Sequence, residues 1–317
     1  MPPSVSYLSP ASPVRAGPSR WRIGVAALLF LTLGATRGAA ACPPEDFPQD
    51  RLQTLKASGF KLEPVDARVR LAQALLQCLR APDPFLRDAI AFEALSAWMR
   101  GGQLPAVALK AMSARLLADL ALPDPAGFGP AFAALVLAEL ARVDRRSPLW
   151  SREERQQVLA AAVDYLSGLR DYRGFDEREG WRHGVAHAAD LLMQLSLNPL
   201  LERADLDRIL DGIASQVLAQ GMHAYVHGES ERLLRPVVFV ARRGLHAEAD
   251  WSAWLGKLAL AAAPAPGAAT DGAGLVRLHN ARAFFYPLYV ALAEGSDGEP
   301  RRRLLPGLLA AVRSLQP

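Results

Sequence analysis

The chain lacks most of the patterns that mark a known chemistry. It has only two cysteines, Cys42 and Cys78, in 317 residues. It has no Cys-x-x-Cys, no glycine-rich phosphate loop and no Gly-x-Ser-x-Gly elbow. Redox-dithiol, phosphate-cradling and hydrolase-elbow mechanisms therefore have no sequence basis here. Sustained alternation of period two is missing, and β-branched residues are sparse outside Val237-Val238-Phe239-Val240. That leaves little from which to build a sheet. Acidic residues are absent before Glu45. The uncharged apolar run over residues 23–33 is roughly half the length of about 20 residues that a membrane helix needs.

What is present begins with that run. Arg15, Arg20 and Arg22 precede it, and Gly38-Ala39-Ala40-Ala41 follows. A positive flank, a short apolar core and small residues are the order of a secretory signal. The expectation is a signal peptide over 1–41, cleavage after Ala41, and a periplasmic or secreted protein whose single domain spans 42–317. The alternative is a retained anchor. Lipidation of Cys42 is not expected, because Ala39 stands where a bulky aliphatic residue is required. Removing 1–41 takes away four arginines and no acid, which leaves 32 basic against 32 acidic residues. The whole-chain excess of +4 therefore belongs to the N-terminal segment. A neutral domain gives no ground for a nucleic-acid partner, which needs concentrated positive charge. Two cysteines in an oxidising compartment can pair as Cys42–Cys78. One free thiol and one buried among Leu75, Leu76 and Leu79 is the other reading. Both stay open, because a sequence does not supply disulfide geometry.

Ala and Leu dominate the rest, with apolar positions at helical spacing. Caps and breakers divide it. Helices are predicted over 49–57 and 65–80, then from Asp83-Pro84 to the stop at Gly101-Gly102. Others run from Pro105 to 122 and from Gly129-Pro130 to 143. Ser151 and Glu154 form a capping box for 151–169. Further helices are predicted over 181–197, over 205–219 with Asp205 as cap, and over 229–243, 250–262, 275–293 and 301–315. Short connections make successive helices antiparallel neighbours. The fold class is all-α: stacked antiparallel helical hairpins in a HEAT-like α-α superhelix or toroid. No fixed-period repeat is visible. The stretch 263–274 reads as a loose loop.

One region is not bland amphipathic helix. At about 100° per residue, His183, His187, Asp190 and Gln194 fall on one side of the 181–197 helix. Trp181, Val185, Ala188, Leu192 and Leu195 fall on the other. Histidines at i and i+4 share a face and can share a divalent metal. Yet His183 and Asp190 are about 10 Å apart along the axis, and Gly184 stands where H-E-x-x-H needs its Glu. Bonding to neighbouring carboxylates or backbone is the other reading of the pair. No cofactor is expected beyond that possible metal. A second cluster holds His223, His227, Glu229, Glu231 and Arg232. Its glycines favour a turn, with Glu229 and Arg232 able to pair on a helix. His279 and Asn280 precede an aromatic patch that reads as core.

The stretch from Arg173-Gly174 through Gly180-Trp181, His183, Ala186-His187 and Asp190-Leu191-Leu192 resembles the signature of a bacterial family, domain of unknown function 2785 (DUF2785). LRDAIAFEAL at 86–95, Gly228-Glu229 with Glu231-Arg232-Leu233, and Asn280 before Phe284-Phe285 fit the same resemblance. Leu169 departs from it, standing in place of an acid and leaving Asp171 as the carboxylate there. The resemblance implies a helical, repeat-like fold over most of 60–315 and no particular activity. It marks His183, His187 and Asp190, and more loosely Arg173, Glu229 and Arg232.

The expected function is that of an exported binding or scaffolding module with a polar groove around 171–194, gripping a peptide, a protein or a cell-wall fragment. Its expected binding residues are Asp171, Arg173, Trp181, His183, His187 and Asp190, joined by Gln194, Glu229, Arg232 and Asn280. Two rivals stand beside it. One is a hydrolase of a helical-toroid type acting on a cell-wall or sugar polymer, which needs two opposed carboxylates. The other is a metal-dependent enzyme using His183 and His187. Catalytic candidates are His183, His187, Asp190 and Glu229. If Asp190, Glu229 and a histidine line one deep pocket, an enzyme is favoured; if they lie along an open groove, binding is.

Overall fold

Segments whose apolar residues recur three or four apart wind into helices, and each must bury its stripe against another. The computed structural model describes residues 42–219, 221–263, 271–295 and 298–316. The expected signal segment over 1–41 lies outside them, as does most of the loop expected over 263–274. The described part is all-α. Its helices are α1 (Gln49–Ala57), α2 (Val65–Cys78), α3 (Glu93–Arg100), α4 (Ala106–Leu120), α5 (Gly129–Arg146) and α6 (Arg152–Gly168). After these come α7 (Gly184–Ser196), α8 (Arg203–Val217), α9 (Glu229–Arg242), α10 (Glu248–Ala262), α11 (Gly272–Glu294) and α12 (Gly298–Ser314). Two strands of two residues each, β1 (Phe175–Asp176) and β2 (Gly180–Trp181), pair antiparallel before α7. Among the described residues no helix is long and apolar enough to cross a membrane.

Local signals set most of the ends. Ser151 Oγ accepts from Glu154 N at 3.1 Å and Glu154 Oε2 accepts from Ser151 N at 2.7 Å, closing the capping box of α6. Asp205 is not the cap of α8. Glu202 is, and Asp205 sits three residues in, where its Oδ2 accepts from Glu202 N at 2.9 Å. Asp83 opens the next helix by accepting from Phe85 N at 2.8 Å. The first eight residues, Phe85–Phe92, then wind as a π-helix that runs straight into α3. Such wide turns recur at functional sites.

The helices pack in two rows. The π-helix with α3, then α5, α7, α9 and α11, neighbour one another along one row, while α2, α4, α6 and α8 neighbour along the other. This is the arrangement of stacked helical hairpins. The helix α7 is enclosed on every side. Ala186, Ala189 and Leu191 are as buried as Val185, Leu192 and Leu195, so it has no solvent-facing polar front. Polar rungs join equivalent points of successive hairpins: Arg100 to Glu139, Lys110 to Glu154, Gln156 to Asp205 and Arg243 to the Asn198 carbonyl. Their separations are 39, 44, 49 and 45 residues. The repeat unit is therefore about that of HEAT-type helix pairs, but its length drifts, which hides it from any search at fixed period. Cys42 is joined to Cys78 at the end of α2, with their Cα atoms 5.2 Å apart.

Candidate functional site

The site begins where the helical reading fails. Between α6 and α7, Asp176 Oδ1 accepts from Arg178 N at 2.8 Å and Glu179 N at 2.9 Å, an Asx turn that folds the chain back. Phe175 then pairs with Trp181. Arg182 N donates to the Gly174 carbonyl at 3.0 Å and His183 N to that of Arg173 at 3.1 Å. His183 takes a left-handed conformation, φ 56°, ψ 37°, and only after it does α7 begin. Trp181 is therefore not on the apolar back of a helix. It stands on the hairpin, 38 % exposed. A non-glycine residue in this conformation is uncommon and such residues cluster at functional sites.

Two arginines fasten the hairpin. Arg87, fully buried on the π-helix, donates to the Glu179 carbonyl at 2.7 Å and the Ala81 carbonyl at 2.9 Å. Its guanidinium lies 4.1 Å from the centre of the Phe128 ring. Arg182 sits 4.4 Å from the same ring and donates to the Ala126 carbonyl at 2.7 Å. Both contacts are of cation–π type, strengthened by burial.

Beside the hairpin, along the odd-numbered row, opens a cleft of about 540 Å³. The π-helix contributes Asp88 and Phe92, and α5 contributes Phe132 and Leu135. Trp181, His183 and His187 line it from the hairpin and α7. His227 and the first turns of α9, with Glu231, Arg232 and Arg235, complete it.

Three imidazoles meet there. His187 Nδ1 is 3.2 Å from the Ala131 carbonyl, so Nδ1 carries the hydrogen and Nε2 the lone pair. Burial, reinforced by His183, pushes its pKa down to about 3, so the ring is neutral at physiological pH. His183 stacks on Trp181 with centroids 4.6 Å apart, and its Nε2 is buried without a hydrogen-bond partner. Burial also pulls its pKa below the ordinary value. His227 Nδ1 is likewise buried and unpartnered, 3.7 Å from Glu229 Oε1. The ring fits only because residue 174 is glycine: a Cβ there would run into it.

Two of the carboxylates nearby, Asp88 and Asp190, are matched. Asp88 accepts from Arg87 Nε and Nη2, each at 3.0 Å, yet burial outweighs the arginine and holds its carboxyl above the usual range. Asp190 bonds to Arg232, with Arg235 at 4.0 Å, and burial again raises it in spite of both.

The other expected residues lie elsewhere. Asp171 and Arg173 pair at 2.5 Å beside a separate cavity of about 280 Å³, which Asp171 lines together with Tyr165 and Arg182. Gln194 accepts from Arg145 Nε at 2.9 Å, a contact between α7 and α5. Glu229 is 3 % exposed and accepts from His227 N at 2.8 Å. It does not pair with Arg232, which turns to Asp190. Asn280, fully buried, accepts from Tyr225 N and donates to the His223 carbonyl, each at 2.9 Å, pinning the segment before α9. Among the described residues no group of three or more His, Cys, Asp or Glu is placed to hold a metal ion. Sequence reasoning missed Asp88, Phe92, Phe132, Leu135 and Arg235 as cleft residues and read His227 as a turn. The signals available were the LRDAIAFEAL stretch at 86–95, which contains Asp88 and Phe92, and within it the adjacent pair Arg87-Asp88.

The sequence profile of a family described as "Protein of unknown function (DUF2785)" matches residues 120–290. That span contains every residue lining the cleft except Asp88 and Phe92. No curated protein matches the chain, and no solved structure does.

Proposed function

The chain belongs to the DUF2785 family, and we propose that it is an exported binding protein that takes a small ligand into the histidine-lined cleft. One observation carries this: Nε2 of His183, which lines a cleft of about 540 Å³, is buried without a partner. A buried polar atom left unpaired costs about 1–3 kcal/mol, which a ligand that completes the bond removes. The volume falls in the range of small-molecule sites. With its pKa about 3, His187 is neutral at neutral pH, and its Nε2 serves as an acceptor rather than a proton shuttle. Asp190 and Glu229 do not line the cleft and are committed to Arg232 and His227, and of the two carboxylates that do line it, Asp88 and Glu231, Asp88 is committed to Arg87. This favours binding over hydrolysis. The Cys42–Cys78 bond supports a compartment outside the reducing cytoplasm, as does the order of residues over 15–41.

Equilibrium dialysis against a small-molecule extract of the source cells, read by mass spectrometry, tests the proposal. Leu135→Trp fills the cleft and is the comparison. The wild-type chain is expected to retain at least one compound that the filled variant does not. Identical retention by both would remove the cleft as a binding site.

A further inference from the structure

The charges around the cleft are matched in pairs, with two exceptions. Asp88 is held by Arg87, and Asp190 by Arg232. Glu231 is exposed and makes no ion pair among the described residues. Arg235 has a side chain 48 % exposed and only the 4.0 Å contact with Asp190. Both line the cleft from α9, four residues apart, which separates their backbones by about 6 Å along the helix. Below them the walls are apolar, formed by Phe92, Phe132, Leu135 and Trp181. The histidines between are neutral acceptors or unpartnered.

An anionic ligand would leave Glu231 facing it unmatched, and a cationic ligand would do the same to Arg235. A neutral saccharide would use neither. A carboxylate and a guanidinium one helical turn apart, both lining the cleft, complement a ligand that carries an ammonium and a carboxylate. Resting on the binding reading above, we propose that the cleft takes a di- or tripeptide with free ends. Its amino terminus faces Glu231 and its carboxylate faces Arg235, where a guanidinium can grip both oxygens. An apolar side chain packs against Phe132 and Trp181. A peptide N–H donates to His187 Nε2.

Calorimetry with Ala-Phe-Ala tests this, alongside its N-acetyl form, its C-terminal amide, and chitotriose as a sugar probe. The proteins are the wild-type chain, Glu231→Gln and Arg235→Gln. Both substitutions are at exposed positions, so the fold is expected to persist. The free tripeptide is expected to bind the wild-type chain saturably. Acetylation should weaken it about tenfold or more in the wild type and little in Glu231→Gln. Amidation should weaken it by a similar factor in the wild type and little in Arg235→Gln. Equal binding of the free and blocked peptides would overturn the assignment, as would binding of chitotriose without the peptide. If no peptide binds while dialysis still finds a compound that needs the open cleft, the peptide class is wrong and the binding reading stands. If dialysis also finds none, both fall.

Discussion

At the end of α5, Asp144 is fully buried and its two oxygens accept five hydrogen bonds. Arg155 supplies two at 2.7 and 3.1 Å, the amides of Leu149 and Trp150 supply two at 2.9 and 2.8 Å, and Asn198 supplies one at 2.7 Å. At the head of α7, His183 and His187 are 8 % and 7 % exposed, almost as deep, yet ring nitrogens in that neighbourhood have no partner. Burial is nearly the same in the two places and satisfaction is not. Full satisfaction makes a buried polar cluster part of the scaffold; incomplete satisfaction beside a cleft leaves bonding capacity for something else.

The contrast is broken or sharpened first by deletion. Asp144→Ala strands the Arg155 guanidinium, two amides and the Asn198 amide in the interior. It is expected to cost about 3–5 kcal/mol. His183→Ala removes a ring nitrogen that bonds nothing and is expected to cost no more than about 1 kcal/mol. Urea unfolding of both measures the difference. If the two losses were equal, satisfaction would not be what separates the clusters.

Acid separates them a second way. Burial alone would raise the Asp144 carboxyl, but the bonds from Arg155, Trp150 and Leu149 outweigh it and hold it below the ordinary 3.8. Its contribution stands above about pH 3.8 and is lost only as pH falls through the lower folded value. His187 acts earlier. Its folded pKa is about 3 and its unfolded value is 6.5, so between them the unfolded chain binds the proton and the folded chain does not. Stability therefore falls as pH drops below about 6.5, by about 1.4 kcal/mol per unit, or about 2–3 kcal/mol from pH 6 to pH 4. His183, depressed by burial as well, pulls in the same direction. His187→Leu should flatten this limb in urea titrations taken from pH 7 to pH 4. A limb unchanged by the substitution would mean that His187 is not the buried neutral group described.

What could be read from the sequence follows the range of the interactions involved. Helix periods and the Ser151 box lie within a few residues, and they were legible. The repeat was not, because rungs 39 to 49 residues apart share no single spacing. The turn at Asp176 and two-residue strands leave no period to find, so apolar spacing alone starts the helix at 181 and includes Trp181, whereas it begins at Gly184. The clamp that holds the hairpin joins Arg87 to Glu179, 92 residues away. Asp88 escaped for a different reason. On a π-helix successive residues advance by less than 100°, so a wheel drawn for an α-helix assigns its side wrongly. His183 and His187, which the sequence places in one stripe, both line the cleft, although they meet there through a hairpin and not through one continuous helix.

The smallest expected effect discriminates best between the helical reading of residue 181 and the hairpin. Trp98 has no exposed surface, packs edge-on against Phe60 with centroids 6.5 Å apart, and donates from Nε1 to the Phe60 carbonyl at 2.8 Å. Trp98→Ala is expected to cost about 3–5 kcal/mol, the range for emptying a core aromatic site. A Trp181 on the apolar back of α7 would cost the same. On the hairpin it is 38 % exposed, touching Phe175, His183 and His227 across ring contacts of 5.0, 4.6 and 5.8 Å. Such contacts are worth about 0.5–1.5 kcal/mol, and part of the ring stays in water before and after the change. Trp181→Ala is therefore expected to cost about 1 kcal/mol, with its larger consequence at the cleft it walls. Urea unfolding beside Trp98→Ala decides the matter. A loss as large as that of Trp98 would return Trp181 to the core and leave the cleft without its wall.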